Sequence, residues 1–341
     1  MNGFRNIVVL KWGALGDFIA GTVAIRALRE HFPDARITLF TNPNGIEIAP
    51  PGSIVDAVID RKAVTAAHGT VGLLRELRRQ QFDLAVNLKW SSEGAILLSR
   101  AAAPKVAGGG MHWLRWLYAY RAPLTPEGIW RHEYHKNRDI VEAIGVPPGE
   151  PRAYLHTGPE DQAFADEYLS GHGLAGIPTL LIAPGASRPG KMWPADRYAE
   201  IGRRFVKQAG GRVLVSWGPR DEPVARAVAD GIGSAALLLP KTSVRQIGAL
   251  VERTAVCMCN NSGMLHVAFA KEKPVVCLNT AVSWIPYGPR SFGVNAFAPE
   301  HLARQPGLGG QRSPRLLVDI PVDEVWRTVV EQALRAAGIT A

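Results

Sequence analysis

The chain alternates short apolar runs with amphipathic stretches almost from its first residue. Ile7 to Lys11 is rich in β-branched residues, too short for a helix, and reads as a buried strand. Beyond it, apolar residues at Ile19, Val23, Ile25, Leu28 and Phe32 follow a helical repeat. The same logic predicts strands from Arg36 to Thr41, Val55 to Asp60 and Phe82 to Leu88. Helices are predicted from Val71 to Arg79 and Glu93 to Ala102. From Pro104 to about Gly158 the pattern is less regular and rich in Trp, Tyr, His and Arg.

The alternation then begins again. Strands are predicted from Thr179 to Ala183, Arg212 to Trp217, Leu237 to Leu239, Val256 to Cys259 and Pro274 to Leu278. Helices fall between them, from Ala195 to Ala209, Glu222 to Gly231, Val244 to Val251 and Met264 to Ala270. Strands and helices at this pitch predict right-handed βαβ units and a largely parallel sheet. The expected class is α/β, with two Rossmann-like domains facing a cleft and joined near residues 158–178. A last amphipathic helix from Val322 to Ala336 is expected to cross back to the first domain.

Composition narrows this picture only a little. A length of 341 residues allows two domains of ordinary size. The net charge of +9 favours anionic partners such as nucleotides, phosphorylated glycans or a membrane surface. The basic residues are scattered, so the composition does not select nucleic acid. Cys257, Cys259 and Cys277 lie in apolar strand-like runs without the spacing of a zinc site, and read as small buried hydrophobes in a reducing compartment. No apolar run reaches the roughly 18 residues of a membrane span, and the N-terminus lacks a signal sequence, so the expected location is the cytoplasm.

Candidate chemistry collects where predicted strands end. Leu181-Ile182-Ala183-Pro184-Gly185-Ala186-Ser187 leads through Arg188-Pro189-Gly190 to Lys191, and Pro194 opens the next helical pattern. Strand, small-residue loop, cation and helix start make an anion site, because unpaired amides and the positive end of the helix dipole point at the ligand. The spacing of Gly185 and Gly190-Lys191 mimics a Walker A loop. However, Met192 stands where that loop needs Ser or Thr for magnesium, and Pro194 places the helix start too late.

Gly13-Ala14-Leu15-Gly16-Asp17 joins the first strand to the first helix. It has too few glycines for a dinucleotide fingerprint, and no acidic residue ends the second strand. Asp17 reads either as a helix N-cap or as a general base at a cleft mouth. In Trp217-Gly218-Pro219-Arg220-Asp221-Glu222 the acids compensate a helix dipole, or Glu222 accepts bonds from a ribose diol. Asn261-Ser262-Gly263 turns from strand into helix with amides for an anion, and His266 lies one turn inside.

Two further stretches stand out. His112 to Arg121 combines Trp113, Trp116, Tyr118 and Tyr120 with Arg115 and Arg121 at helical spacing, as a core helix or an interfacial surface would. Arg131-His132-Glu133-Tyr134-His135-Lys136 lacks the His-Glu-x-x-His spacing, so no metal is assigned to it.

Taken in order, these motifs resemble glycosyltransferase family 9, the ADP-heptose:lipopolysaccharide heptosyltransferases. The resemblance runs from about residue 5 to 290. It is carried by Gly16-Asp17, Pro184-Gly185-Ala186-Ser187 with Lys191-x-Trp193-Pro194, Trp217-Gly218 with Glu222, Leu239 to Ser243, and Asn261-Ser262-Gly263-x-x-His266 before Pro274-Val275-Val276. It implies a GT-B fold and an inverting, metal-independent transfer with no cofactor beyond the donor, an ADP-linked sugar. It also implies an acceptor-binding domain over 1–160, a nucleotide-sugar domain over 175–320 and a returning helix over 321–341.

Carried over by position, Asp17 is the base, Ser187 and Lys191 hold the diphosphate, and Glu222 takes the ribose. Asn261, Ser262, Gly263 and His266 meet the phosphates and sugar. The implied acceptor is a lipopolysaccharide-core or other anionic glycolipid, reached at the inner face of the inner membrane. One position departs from the family pattern: Asn261 stands where the family has an Asp that touches the donor sugar. It adds a hydrogen-bond donor and removes a charge. A GT-B epimerase or hydrolase and a sugar-nucleotide-binding module without catalysis are the alternative readings.

Overall fold

The computed structural model describes residues 3–90, 92–110, 112–124, 133–187, 191–278, 293–295, 317–336 and 338–339. Contacts divide the chain into two units, Met1–His156 and Thr157–Ala341.

In the first unit the strands are β1 (Asn6–Leu10), β2 (Arg36–Thr41), β3 (Ala57–Asp60), β4 (Leu84–Asn87), β5 (Lys105–Gly108) and β6 (Tyr120–Arg121). The helices are α1 (Leu15–His31), α2 (Pro43–Ile48), α3 (Arg61–Arg79), α4 (Glu93–Ala102) and α5 (Glu133–Glu142). Every strand pairing is parallel, in the order β3-β2-β1-β4-β5-β6. Helices on both faces explain why Ile7, Val8, Val9 and Leu10 of β1 are all fully buried and why the strand reads as a continuous apolar run.

The second unit repeats the plan. Its strands are β7 (Thr179–Ala183), β8 (Arg212–Val215), β9 (Ala236–Leu238), β10 (Val256–Asn260), β11 (Val275–Leu278) and β12 (Gly293–Asn295). Its helices are α6 (Pro159–Gly171), α7 (Ala195–Ala209), α8 (Glu222–Ile232), α9 (Val244–Arg253) and α10 (Gly263–Ala270). The parallel order is β12-β11-β10-β7-β8-β9. Both sheets are therefore wound outward from a first strand and back across it. Each has its switch point between that strand and the fourth, and ligands of open α/β sheets bind at such points.

Two expectations change. The stretch 112–121 is no α-helix: Trp113–Leu117 forms a 3-10 turn and Tyr120–Arg121 pairs with β5. Leu114 and Tyr118 are buried in the core with Leu117 packed partly against it, and Asn87 Nδ2 donates to the Tyr118 hydroxyl at 2.8 Å. Trp113 and Trp116 stay 71% and 64% exposed, in line on one side of a three-residue repeat. The second change concerns the C-terminal segment, helical over 322–336 with one π turn at Trp326–Val330. Its described apolar residues pack within the second unit. Val325, Trp326, Val330 and Leu334 share a core with Tyr198, Ile201 and Phe205 of α7, which gives its apolar stripe a face to bury. Among the described residues no helix is long and apolar enough to cross a membrane.

Candidate functional site

At the carboxyl edge of the second sheet, the ladder between β7 and β10 ends at the pair Ala183–Cys259. The backbone beyond it needs other partners. Asn260, the last residue of β10 and fully buried, supplies them. Its Oδ1 accepts from the Trp193 amide at 3.1 Å and from the Tyr198 hydroxyl at 2.9 Å. Its Nδ2 donates to the Pro184 carbonyl at 2.6 Å and to the Gly185 carbonyl at 3.5 Å.

The loop from Pro184 to Trp193 is thus fastened at both ends beside the Asn261 turn. Ser187 is exposed in it and Lys191 half-buried. Among the described residues neither side chain makes a hydrogen bond or ion pair. Arg188, Pro189 and Gly190 lie outside the described residues, as do Arg131 and His132 of the other stretch noted above. Helix α7 starts at Ala195, behind Pro194, which is too far along for a Walker loop.

The Asn261 turn follows directly. Ser262 occupies the N-cap of α10 but makes no side-chain cap bond, so its hydroxyl is not spent on the helix start. His266 is only 3% exposed and sits in the body of α10, closed off from solvent. The turn after β8 completes this edge. An ideal Cβ on Gly185 would lie 2.1 Å from Asp221 Oδ2, so only glycine admits that carboxylate against the loop. Burial raises the Asp221 pKa, opposed by a hydrogen bond from the Gly218 backbone. Glu222 opens α8 and points to Arg226, 2.7 Å away, on a side that is 45% exposed. Of the two acids, Asp221 is the one against the loop, a distinction the sequence did not carry. Ser243, in the Leu239 to Ser243 motif, caps α9 in a reciprocal box with Gln246.

In the first unit Asp17 is not the N-cap. Ala14 holds that position, and Asp17 lies in the first turn of α1 at the carboxyl edge of β1. Behind it the structure places a residue that motif reasoning passed over. Lys11 is 5% exposed and donates from Nζ to the Leu88 carbonyl at 3.2 Å, across the switch point between β1 and β4. Gly21 of α1 makes room for its stem, since a Cβ there would come within 2.8 Å of Lys11 Cε.

Burial depresses the Lys11 pKa from 10.5 to about 8. The Glu133 and Asp17 carboxylates oppose that shift, and the Lys89 charge adds to it. A lone charge directly after an otherwise apolar strand is the sequence signal that would have found it. The folded state binds fewer protons than the unfolded state between about pH 8 and 10.5, so wild-type stability rises across that window. Relative to Lys11→Met, wild type should therefore gain stability from pH 8 to 10.5, measured by denaturant midpoints. A constant difference would contradict the buried ammonium.

Cations cluster around the same edge. Arg61 Cζ lies 5.2 Å and Lys89 Nζ 5.6 Å from the centre of the Trp12 ring, and Lys136 Nζ lies 5.8 Å from that of Trp90. Arg61 Nε and Trp90 Nε1 are buried without a hydrogen-bond partner among the described residues. Such groups are costly unless something accepts from them.

Comparison with known proteins adds a family to this geometry. Residues 71–306 match the model of glycosyltransferase family 9 (heptosyltransferase). The lipopolysaccharide core heptosyltransferase OpsX of Haemophilus influenzae is 25% identical over 80% of this chain and 78% of its own. Among solved structures, the family 9 glycosyl transferase of Veillonella parvula superimposes with a TM-score of 0.81 at 21% identity, over 97% of each chain. The Escherichia coli heptosyltransferase WaaC with ADP superimposes with a TM-score of 0.69 at 17% identity, covering 98% of this chain and all of that one. The fold they share with this chain is GT-B.

Proposed function

The chain belongs to glycosyltransferase family 9, the heptosyltransferases, and from that membership we propose that it moves heptose from ADP-heptose onto a lipopolysaccharide-core or related anionic glycan, with inversion and without a metal. The observation that carries the donor half is the Asn260 junction. It puts the Ser187 and Lys191 loop beside the Asn261-Ser262-Gly263 turn, at the switch point of one parallel sheet.

In this reading Lys191 and the amides at the start of α10 meet the diphosphate as its charge grows on leaving. Ser187, Ser262 and Gly263 contribute neutral donors. Glu222 takes the ribose, and Asn261 and His266 the sugar side. In the first unit Asp17 removes the proton from the acceptor hydroxyl as its oxygen attacks the anomeric carbon, and ADP departs with the bonding electrons. The cations Arg61 and Lys89 suit phosphate or carboxylate groups of such an acceptor. WaaC bound ADP in its solved structure, and the relatives act on lipopolysaccharide by name, which supports the donor base and the acceptor class.

A thermal-shift panel tests the donor. ADP and ADP-heptose should raise the melting temperature more than UDP, GDP or their sugars at equal concentration. Equal shifts from UDP and ADP would overturn the adenine reading. The acceptor is anchored in the inner membrane in this reading, and the enzyme works at its cytoplasmic face. Trp113 and Trp116 stand out from a turn stapled by Arg121, whose guanidinium bonds the Trp116 and Tyr118 carbonyls. Trp beside Arg suits the headgroup layer. Trp113→Ser with Trp116→Ser should lose co-sedimentation with phosphatidylglycerol vesicles, and unchanged sedimentation would remove this surface.

A further inference from the structure

We propose that Asn260 is the positioning residue of the donor site, its one amide holding both ends of the loop that carries Ser187 and Lys191. The inference rests on the donor-site reading above and adds to it the device that sets its geometry.

An Asn side chain offers two donor and two acceptor places, and Asn260 uses all four. The orientation of the amide is forced. The Trp193 amide can only donate and the Pro184 carbonyl can only accept, so oxygen and nitrogen cannot exchange places. The side chain therefore works as one more rung after the backbone ladder stops at Ala183–Cys259. Unlike a backbone rung it reaches three segments at once: the exit of β7, the entry to α7, and α7 itself through Tyr198.

Each of those partners is itself held. Trp193 is 1% exposed, and its indole Nε1 donates to the Ile320 carbonyl at 3.0 Å. Its ring meets Tyr198 edge to face, with centroids 5.2 Å apart. Burial pushes the Tyr198 phenol far above its ordinary value, so it stays a donor at any working pH. By contrast, Ser187 and Lys191 have no side-chain bonds among the described residues that would place them. Asn260 fixes the backbone on either side of them, at Pro184 and Gly185 and at Trp193. A shift of that anchor by a fraction of an ångström moves the ammonium away from the diphosphate, and the site loses binding without losing any contact residue.

Neighbouring residues divide the labour. Asn260 points inward and is fully buried, whereas Asn261, next along, is partly exposed at the edge. The two consecutive asparagines therefore have opposite duties, the first to the scaffold and the second to the ligand.

The test is calorimetric titration of the full chain with ADP. Asn260→Asp keeps an acceptor toward Trp193 and Tyr198 but sets an oxygen against the Pro184 carbonyl. It should weaken ADP binding by about tenfold or more, and Tyr198→Phe by about threefold. Gln162→Ala serves as the stability control. It removes an amide that bonds Glu252 and Arg253 of α9, distant in sequence from the loop, and should lower the melting temperature with ADP affinity intact. Hydrogen exchange in peptides covering 184–195 should rise in Asn260→Asp and stay unchanged in Gln162→Ala.

If Asn260→Asp fails to fold, the Tyr198→Phe titration and its exchange decide the matter. ADP affinity unchanged in both variants, or lost equally in Gln162→Ala, would overturn the positioning role. Lys191→Ala separates the two levels. If it weakens ADP binding while the Asn260 and Tyr198 variants do not, the donor site stands without this device. If it too has no effect, the donor-site reading falls as well.

Discussion

Asp17→Asn should lower sugar transfer by about 10²–10⁴-fold, the usual contribution of a positioned general base, with ADP affinity unchanged. The substitution nearly preserves shape; it removes the negative charge and the ability to take a proton, and it replaces one acceptor oxygen by a donor. Capping does not account for the residue, because Ala14 and not Asp17 occupies the N-cap of α1. Stability should therefore change little, and a loss of rate with normal melting and normal ADP titration would isolate the chemistry. Turnover near wild type in Asp17→Asn would remove Asp17 as the base. Since Lys11 lies within electrostatic reach of Asp17, the rate should be followed over pH in both Asp17→Asn and Lys11→Met.

The second large effect is expected at Lys191. Lys191→Ala should weaken ADP binding by about 1.5–3 kcal/mol, the range for hydrogen bonds to charged groups, or roughly 10–150-fold in Kd. No other Lys or Arg is assigned to the diphosphate, so the neutral donors Ser187, Ser262 and Gly263 would be left to hold a dianion. Raising the salt concentration should weaken wild-type binding more than that of the variant, because the variant has lost the ion pair that salt screens. Equal ADP affinity in the two proteins would sink the assignment.

Much of the fold was legible because it rests on local pattern. The apolar run Thr179–Ala183 and the amphipathic stretch Ala195–Ala209 appear with the bounds their periodicity gives. Less regular segments were harder to read. Strand β5 is four residues long and contains Lys105 and Gly108, and β6 has only two residues, so neither carries a period. The spacing of Trp113 and Trp116 suits a helix as well as a 3-10 turn, and only exposure separates the two. The C-terminal helix was legible as a helix, but its partner was not, since an apolar stripe does not say which surface covers it.

The candidate site divides in the same way. Residues at strand ends, Asp17, Ser187, Lys191 and Asn261, stand out in sequence because glycine, proline and polar residues break the apolar runs there. What holds them does not stand out. Asn260 and Lys11 each bridge a switch point by bonding a backbone carbonyl on another strand's exit, 76 and 77 residues away respectively. Such partners belong to topology and leave no local spacing to read. Asp221 and Glu222 are adjacent acids with the same sequence signature, and only the packing against Gly185 tells them apart.

Transfer of heptose from ADP-heptose to a core glycan makes a defined pair of products, a lengthened acceptor and ADP. Its most direct test is mass spectrometry of products from ADP-heptose with and without a truncated lipopolysaccharide core. The expected result is an acceptor heavier by one heptose, with ADP released in equal amount and only when acceptor is present. ADP or an altered sugar formed from donor alone would point to a hydrolase or epimerase. ADP-heptose that binds and stays intact over a range of core acceptors would contradict transfer altogether.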